Sequence, residues 1–152
     1  MPPHEDLNLL DFQDLLKVKR HNSQNKVFDP IRKSWYILKP EEFVRQLVIV
    51  YLNTVLHYPF TLISVEKQLK VNLMKRRFDL VVYNKKAKPY ILIECKSAGE
   101  KLNENTALQI ASYNLSLKAK YLWLSNGREN LFYGVDYGIE KTYRINSLPV
   151  CG

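Results

Sequence analysis

Apolar and polar positions alternate with two different periods along this chain. From residue 40 the run PEEFVRQLVIVYLNTVLHY places Phe43, Leu47, Val50, Tyr51, Thr54 and Val55 at helical spacing, which predicts a helix with one buried stripe. Pro40 suits the first helical position, Glu41 and Glu42 favour the positive end of the dipole, and Pro59 is expected to end the helix. LISVEKQLKV (62–71) reads as a strand, or a helical turn leading into one, and FDLVVY (78–83) and YILIEC (90–95) read as strands. ENTALQIASYNLSL (104–117) predicts a second helix, and AKYLWLS and ENLFYGV predict two further strands around Asn126-Gly127, a hairpin dipeptide. Upstream, NKVFDPIRKSWYIL (25–38) reads as two short extended runs around Asp29-Pro30. The first 25 residues are polar, with a short amphipathic piece, LNLLDFQDLLKV, and a weak expected core contribution. The expected organisation is an N-terminal extension over 1–25 and one α/β domain over 26–152.

Two of the apolar strands carry acids. Asp79 interrupts FDLVVY, Glu94 interrupts YILIEC, and Lys96 follows two positions on. Alternation puts Glu94 and Lys96 on one face and Ile93 and Cys95 on the other. A lone buried charge costs several kcal/mol unless it is paired or bound to metal. One reading is a Glu94–Lys96 ion pair at a strand end, with Asp79 accepting backbone hydrogen bonds. The other is two carboxylates converging on a hard cation, since Mg²⁺ takes one or two carboxylates and fills its octahedron with water and phosphate oxygens. Acid-x-Lys is a weak signal alone; here the single instance lies on an apolar strand, follows an acid-bearing strand and precedes a helix. Lys96, protonated at neutral pH unless perturbed, would stabilise phosphate charge or orient a water.

Composition narrows the picture further. With 46% apolar and 25% charged residues in 152, the chain is long enough to bury a core without staples. Two cysteines, Cys95 and Cys151, do not make a disulfide framework, which fits a reduced, cytoplasmic setting. The apolar runs are too short to cross a bilayer, and the N-terminus lacks signal-peptide character. Net charge is +8, with basic clusters at 17–20, 75–77 and 85–88, which suits either a polyanion partner or solvated surface. His4, His21 and His57 have no metal-ligand spacing, Ser97 has no local His partner, and Trp35 and Trp123 are expected in the core.

Taken together, these segments resemble the PD-(D/E)XK nuclease superfamily, with Asp79 as the first acid and Glu94 and Lys96 as the (D/E)-x-K; Phe78 stands where the proline of the name would be. DPIRKSWYILKPEEFVRQ, ISVEKQLKV, RFDLVVYN, ILIECKS and the Gln-x-x-x-Tyr of Gln109 and Tyr113 are more closely similar to the N-terminal nuclease domain of type I restriction enzyme motor subunits and small standalone relatives, over roughly 26–135. The resemblance implies a restriction-endonuclease-like core (αβββαβ) with a mixed central sheet flanked by helices. It also implies Mg²⁺-dependent phosphodiester cleavage of DNA, Mn²⁺ being a substitute. Asp79, Glu94 and the Cys95 carbonyl would hold the metal, with Lys96, Gln109 and Tyr113 in the catalytic set. Glu42, ahead of Glu41, would be the assisting acid of the first helix, and both could instead be dipole partners. Lys75, Arg76, Arg77, Lys85 and Lys86 are candidate DNA contacts. No P-loop motor is encoded, and a homodimer or larger complex is left open. The alternative is a nucleic-acid-binding module of the same fold that needs a partner for cleavage or is inert.

Overall fold

The computed structural model describes residues 7–71 and 74–152. Of the residues singled out above, His4 lies outside them. A 3₁₀ segment, Leu9–Leu15, is followed by three short strands: β1 Val18–His21, β2 Gln24–Asp29 and β3 Ser34–Ile37. These form an antiparallel sheet in the order β1-β2-β3. Helix α1, Pro40–Thr54, then leads through a 3₁₀ turn, Phe60–Leu62, into β4 Ile63–Val71, β5 Met74–Tyr83 and β6 Pro89–Cys95. Helix α2, Glu104–Leu117, crosses to β7 Tyr121–Ser125, and β8 Asn130–Asp136 and β9 Lys141–Ile145 complete a six-stranded sheet in the order β4-β5-β6-β7-β8-β9. The pairing is antiparallel except between β6 and β7, where the α2 crossover makes it parallel. The chain is thus α/β with a mixed six-stranded sheet, and no described helix is long and apolar enough to cross a membrane.

The sheet separates two apolar layers. Val44, Leu47, Val48 and Leu52 of α1 pack with Leu80, Val82, Ile91 and Ile93 on one face. Ala107 and Ile110 of α2 pack with Val81, Leu92 and Leu122 on the other. Central strand β6 is therefore covered on both sides, which explains why its sequence lacks clean alternation. Both helix termini follow from local chemistry. Pro40 supplies an N1 residue without an orphan N–H, and the Asn103 side chain accepts from the Asn105 amide to cap α2.

Several expectations change. Helix α1 stops at Thr54, short of Pro59, because the chain turns through a left-handed His57 (φ 62°) while the Tyr58 amide bonds back to Leu52. Its buried face is wider than the expected stripe. Val44, Val48, Ile49 and Leu52 join Leu47 and Tyr51 inside, whereas Thr54 is exposed and Phe43, Val50 and Val55 are half-buried. The cause is a second covering layer: Leu9 of the N-terminal segment is fully buried in the same core, and Phe12 meets Tyr51 edge-on at 5.7 Å. The first 25 residues thus contribute directly to the core, and β1 pairs with β2 across the expected 25/26 boundary. Trp123 is buried as expected, but Trp35 is only half-buried on the small sheet.

Candidate active site

Strands β5 and β6 exchange register partners from Tyr83–Pro89 to Leu80–Ile93. One residue further on, the amide of Cys95 donates to Asp79 Oδ2 at 2.8 Å. A carboxylate therefore takes over where the backbone pairing ends, which gives Asp79 a hydrogen-bonded seat at the edge of the apolar layer. On its other side β4 also deviates. Glu66, opposite Asp79 in the β4–β5 register, adopts φ 52° while Val65 and Lys67 keep their partners. A non-glycine left-handed residue in a strand costs on the order of 1–3 kcal/mol.

Glu94 lies half-buried beside Asp79. Burial, then the Asp79 charge and a hydrogen bond with its carboxyl, push Glu94 up to about 8. Two carboxyls this close share a proton or a cation at neutral pH. That is the chemistry a divalent ion exploits, and two carboxylates are what Mg²⁺ usually takes from protein. The pair therefore fits such an ion; a cluster of three or more His, Cys, Asp or Glu side chains suited to a metal is absent among the described residues. The Cys95 thiol is buried and pushed up by that burial, so this sulfur stays protonated and inert.

Among the described residues, the ion pairs near the site run through arginine and not through Lys96. Arg45, on α1 and almost wholly buried, donates from Nη2 to Asp79 Oδ1 at 3.0 Å and from Nη1 to Glu42 Oε1 at 2.9 Å. Arg32, in the β2–β3 turn, donates to the same Glu42 oxygen at 2.7 Å and to Asp29 Oδ2 at 2.6 Å. Gln46 bridges Asp29 Oδ2 (3.0 Å) and Glu42 Oε2 (3.2 Å). Glu66 closes the network from the solvent side, 3.6 Å from Arg45 and 3.9 Å from Arg32. Burial works against the Arg45 charge, but Glu42 and Asp79 outweigh it and raise its pKa. Burial likewise opposes ionisation of Asp29, yet hydrogen bonds from Arg32, Ile31 and Gln46 hold its carboxyl below the usual range.

This network surrounds Glu42, the acid of the first helix expected ahead of Glu41. Glu42 is consumed by Arg32, Arg45 and Gln46. Glu41, on the exposed side, is the α1 acid that senses the site: burial and then Asp79 push its carboxyl up, while Arg45 and Lys96 oppose the shift.

On the α2 side, Glu94 and Lys96 line a cavity of about 290 Å³ together with Lys75, Arg76, Arg77, Gln109 and Tyr113. The Arg76 guanidinium lies over the Tyr113 ring, 4.4 Å from its centre. Seven expected site residues thus converge on one basic hollow. Lys85 and Lys86 do not. They sit in the β5–β6 loop beyond Tyr83, itself about 13 Å from Asp79 along β5 at about 3.3 Å per residue, beside Tyr58, Tyr90 and Cys151.

Arg45, Arg32, Asp29, Gln46 and Glu66 escaped sequence reasoning. One signal was available: Arg45-Gln46 stand inside an otherwise apolar helical run, where a polar pair must find buried partners.

Among curated proteins none matches this chain. The family model for the type I restriction enzyme R protein N terminus matches residues 40–149, which takes in both helices, all six strands of the large sheet and every residue of the acid pair and basic hollow. The chain belongs to that family, the type I restriction enzyme R protein N terminus.

Proposed function

We propose that the chain is a metal-dependent phosphodiester hydrolase acting on DNA, built on a restriction-endonuclease-like core formed by α1, β4–β6, α2 and β7. The carrying observation is the Asp79–Glu94 carboxyl pair, of which Glu94, with Lys96, lines a cavity shared with Lys75, Arg76 and Arg77. Family membership supports DNA as the substrate class.

In this reading Asp79, Glu94 and the Cys95 carbonyl hold Mg²⁺, which when bound polarises a phosphoryl oxygen and acidifies a water. Asp79 is pre-aimed, because Arg45 and the Cys95 amide fix its two oxygens. Lys96 offers its ammonium to charge developing on the phosphate. Arg76, braced against Tyr113, and Arg77 seat the flanking backbone, and Gln109, one helical turn from Tyr113, faces the same hollow. Glu41 is the α1 acid best situated to assist.

The test is plasmid cleavage with Mg²⁺ or Mn²⁺. Activity that is lost together in Asp79→Ala and Lys96→Ala supports the reading; activity that survives both assigns it to a contaminant.

A second reading is favoured by one observation. Arg45 already gives Asp79 an internal counter-cation, so the same fold could act as a DNA-binding module whose site is completed only by a partner. Salt-sensitive DNA binding without cleavage under every metal would support it.

A further inference from the structure

We propose that the outward face of the small β1–β3 sheet is a stacking surface for an unpaired nucleic-acid strand, separate from the acid pair. The inference does not depend on cleavage.

Register fixes what that face carries. Lys19 pairs with Lys26 and Lys26 with Ile37; Phe28 pairs with Trp35, and its amide bonds to the carbonyl of Lys17. Directly opposed residues share a face, so these six side chains point the same way. The alternate positions, Val27 and Asp29, are fully buried and fix the other face as the inner one. On the outer face the rings of Phe28 and Trp35 lie 5.4 Å apart. Lys17 sits 5.0 Å from the Phe28 ring centre and Lys19 4.0 Å from that of Trp35. Ile37 is 45% exposed, and both lysines are exposed. Among the described residues, no acid occupies an outward position of these strands.

An aromatic pair flanked by ammonium groups with no acid on the face matches the two halves of a single strand: a base for the ring and a phosphate for the cation. A duplex offers only the second, because its base faces are already stacked. The lysines now cover the rings. Exposed cation–π contacts are weak, and a phosphate is a stronger partner for the same ammonium, so a strand can draw the lysines aside at little cost. The face is also connected to the rest of the molecule. Trp35 and Arg32 line a cavity of about 560 Å³ that extends to Glu41 at the start of α1.

The probe is fluorescein-labelled oligothymidylate of about 16 nucleotides, the upper footprint of a small strand-binding domain, titrated in EDTA so that cleavage plays no part. The chain has two tryptophans, and Trp123 is 1% exposed, so quenching of tryptophan emission reports on Trp35. The expected results are quenching on binding and about tenfold weaker affinity for the Phe28→Ala, Trp35→Ala double variant. Lys17→Gln with Lys19→Gln should flatten the slope of log affinity against log salt by about 1.4, the value for two single-strand phosphates. These lysines lie outside the core, so that pair of changes gives an answer even if the aromatic double variant fails to fold. Absence of quenching, an unchanged salt slope, or equal displacement by unlabelled duplex would overturn the proposal. Displacement and equal quenching by polyglutamate would also overturn it, by making the face a general acidic-protein surface. Asp79→Ala should abolish cleavage while leaving quenching intact, which separates failure of this surface from failure of the nuclease reading.

Discussion

Arg45 Nη2 donates to Asp79 Oδ1 at 3.0 Å, and the same guanidinium holds Glu42 at 2.9 Å. A buried arginine thus joins the acid in the middle of β5 to the acid in the first turn of α1. Replacing it with methionine keeps most of the volume but leaves two carboxylates without their cation. Removal of one partner from a buried ion pair costs about 3–5 kcal/mol, so Arg45→Met should lower the urea midpoint sharply. Arg45→Lys should recover only part, since one ammonium cannot reproduce the two-pronged contact. A variant as stable as the wild type would mean that the network contributes no net stability.

Glu94 gives the protein a pH dependence of defined sign. Its folded pKa of about 8 lies above the ordinary value of 4.5, because of burial and the Asp79 charge. Between those two values the folded state holds a proton that the unfolded state has released, so stability is lost as pH rises through the window. Glu94→Gln, which cannot ionise, should gain stability relative to wild type at pH 9 and lose that advantage at pH 4. Denaturation curves at the two extremes measure the difference.

A divalent ion bound at the pair must displace the same proton. Mn²⁺ affinity measured by calorimetry in the intact chain should therefore strengthen as pH rises towards about 8. The apparent binding enthalpy should vary with the ionisation enthalpy of the buffer, because a proton is released. Affinity independent of pH would place the ion elsewhere.

In single-turnover cleavage, Lys96→Ala should slow the chemical step by about 10²–10³, the usual loss for one charge-stabilising donor. Tyr113→Phe keeps the ring under Arg76 and should stay near wild type. Tyr113→Ala removes that brace and should weaken DNA binding more than it slows chemistry. Equal losses in the two Tyr113 variants would show that the hydroxyl, not the ring, does the work.

Leu9→Ala tests the N-terminal segment. Leu9 is fully buried against α1, and a leucine-to-alanine change in such a site costs about 2–5 kcal/mol. A midpoint unchanged in this variant would make the segment dispensable for folding.

The sequence was most legible where side-chain period and turn chemistry agreed. Helix α2 runs from Glu104 to Leu117 as expected, and β5, β6, β7 and β8 fall on their apolar runs. It was least legible where partners are distant. β1 is exposed at every position and β9 nearly so; neither shows the alternation that marks a half-buried strand. In the site, spacing brought Glu94 and Lys96 together because they stand two residues apart at the end of β6, and Gln109 and Tyr113 because they share one helix. The surroundings that set Glu41 and Glu42 apart depend on Arg32, ten residues upstream in the β2–β3 turn, and on which side of α1 Arg45 faces. Local patterns carry no such information.

The polar network has a practical implication for anyone trimming the molecule. The family match begins at residue 40, yet Asp29 and Arg32, which satisfy Gln46 and Glu42, are supplied by β2 and the turn after it. Excision at the match boundary would strip those partners and leave buried polar atoms of α1 facing an empty seam directly behind Asp79. A fragment that keeps these partners therefore includes β2 and the turn after it, and the small sheet is a wall of the site as well as a surface of its own.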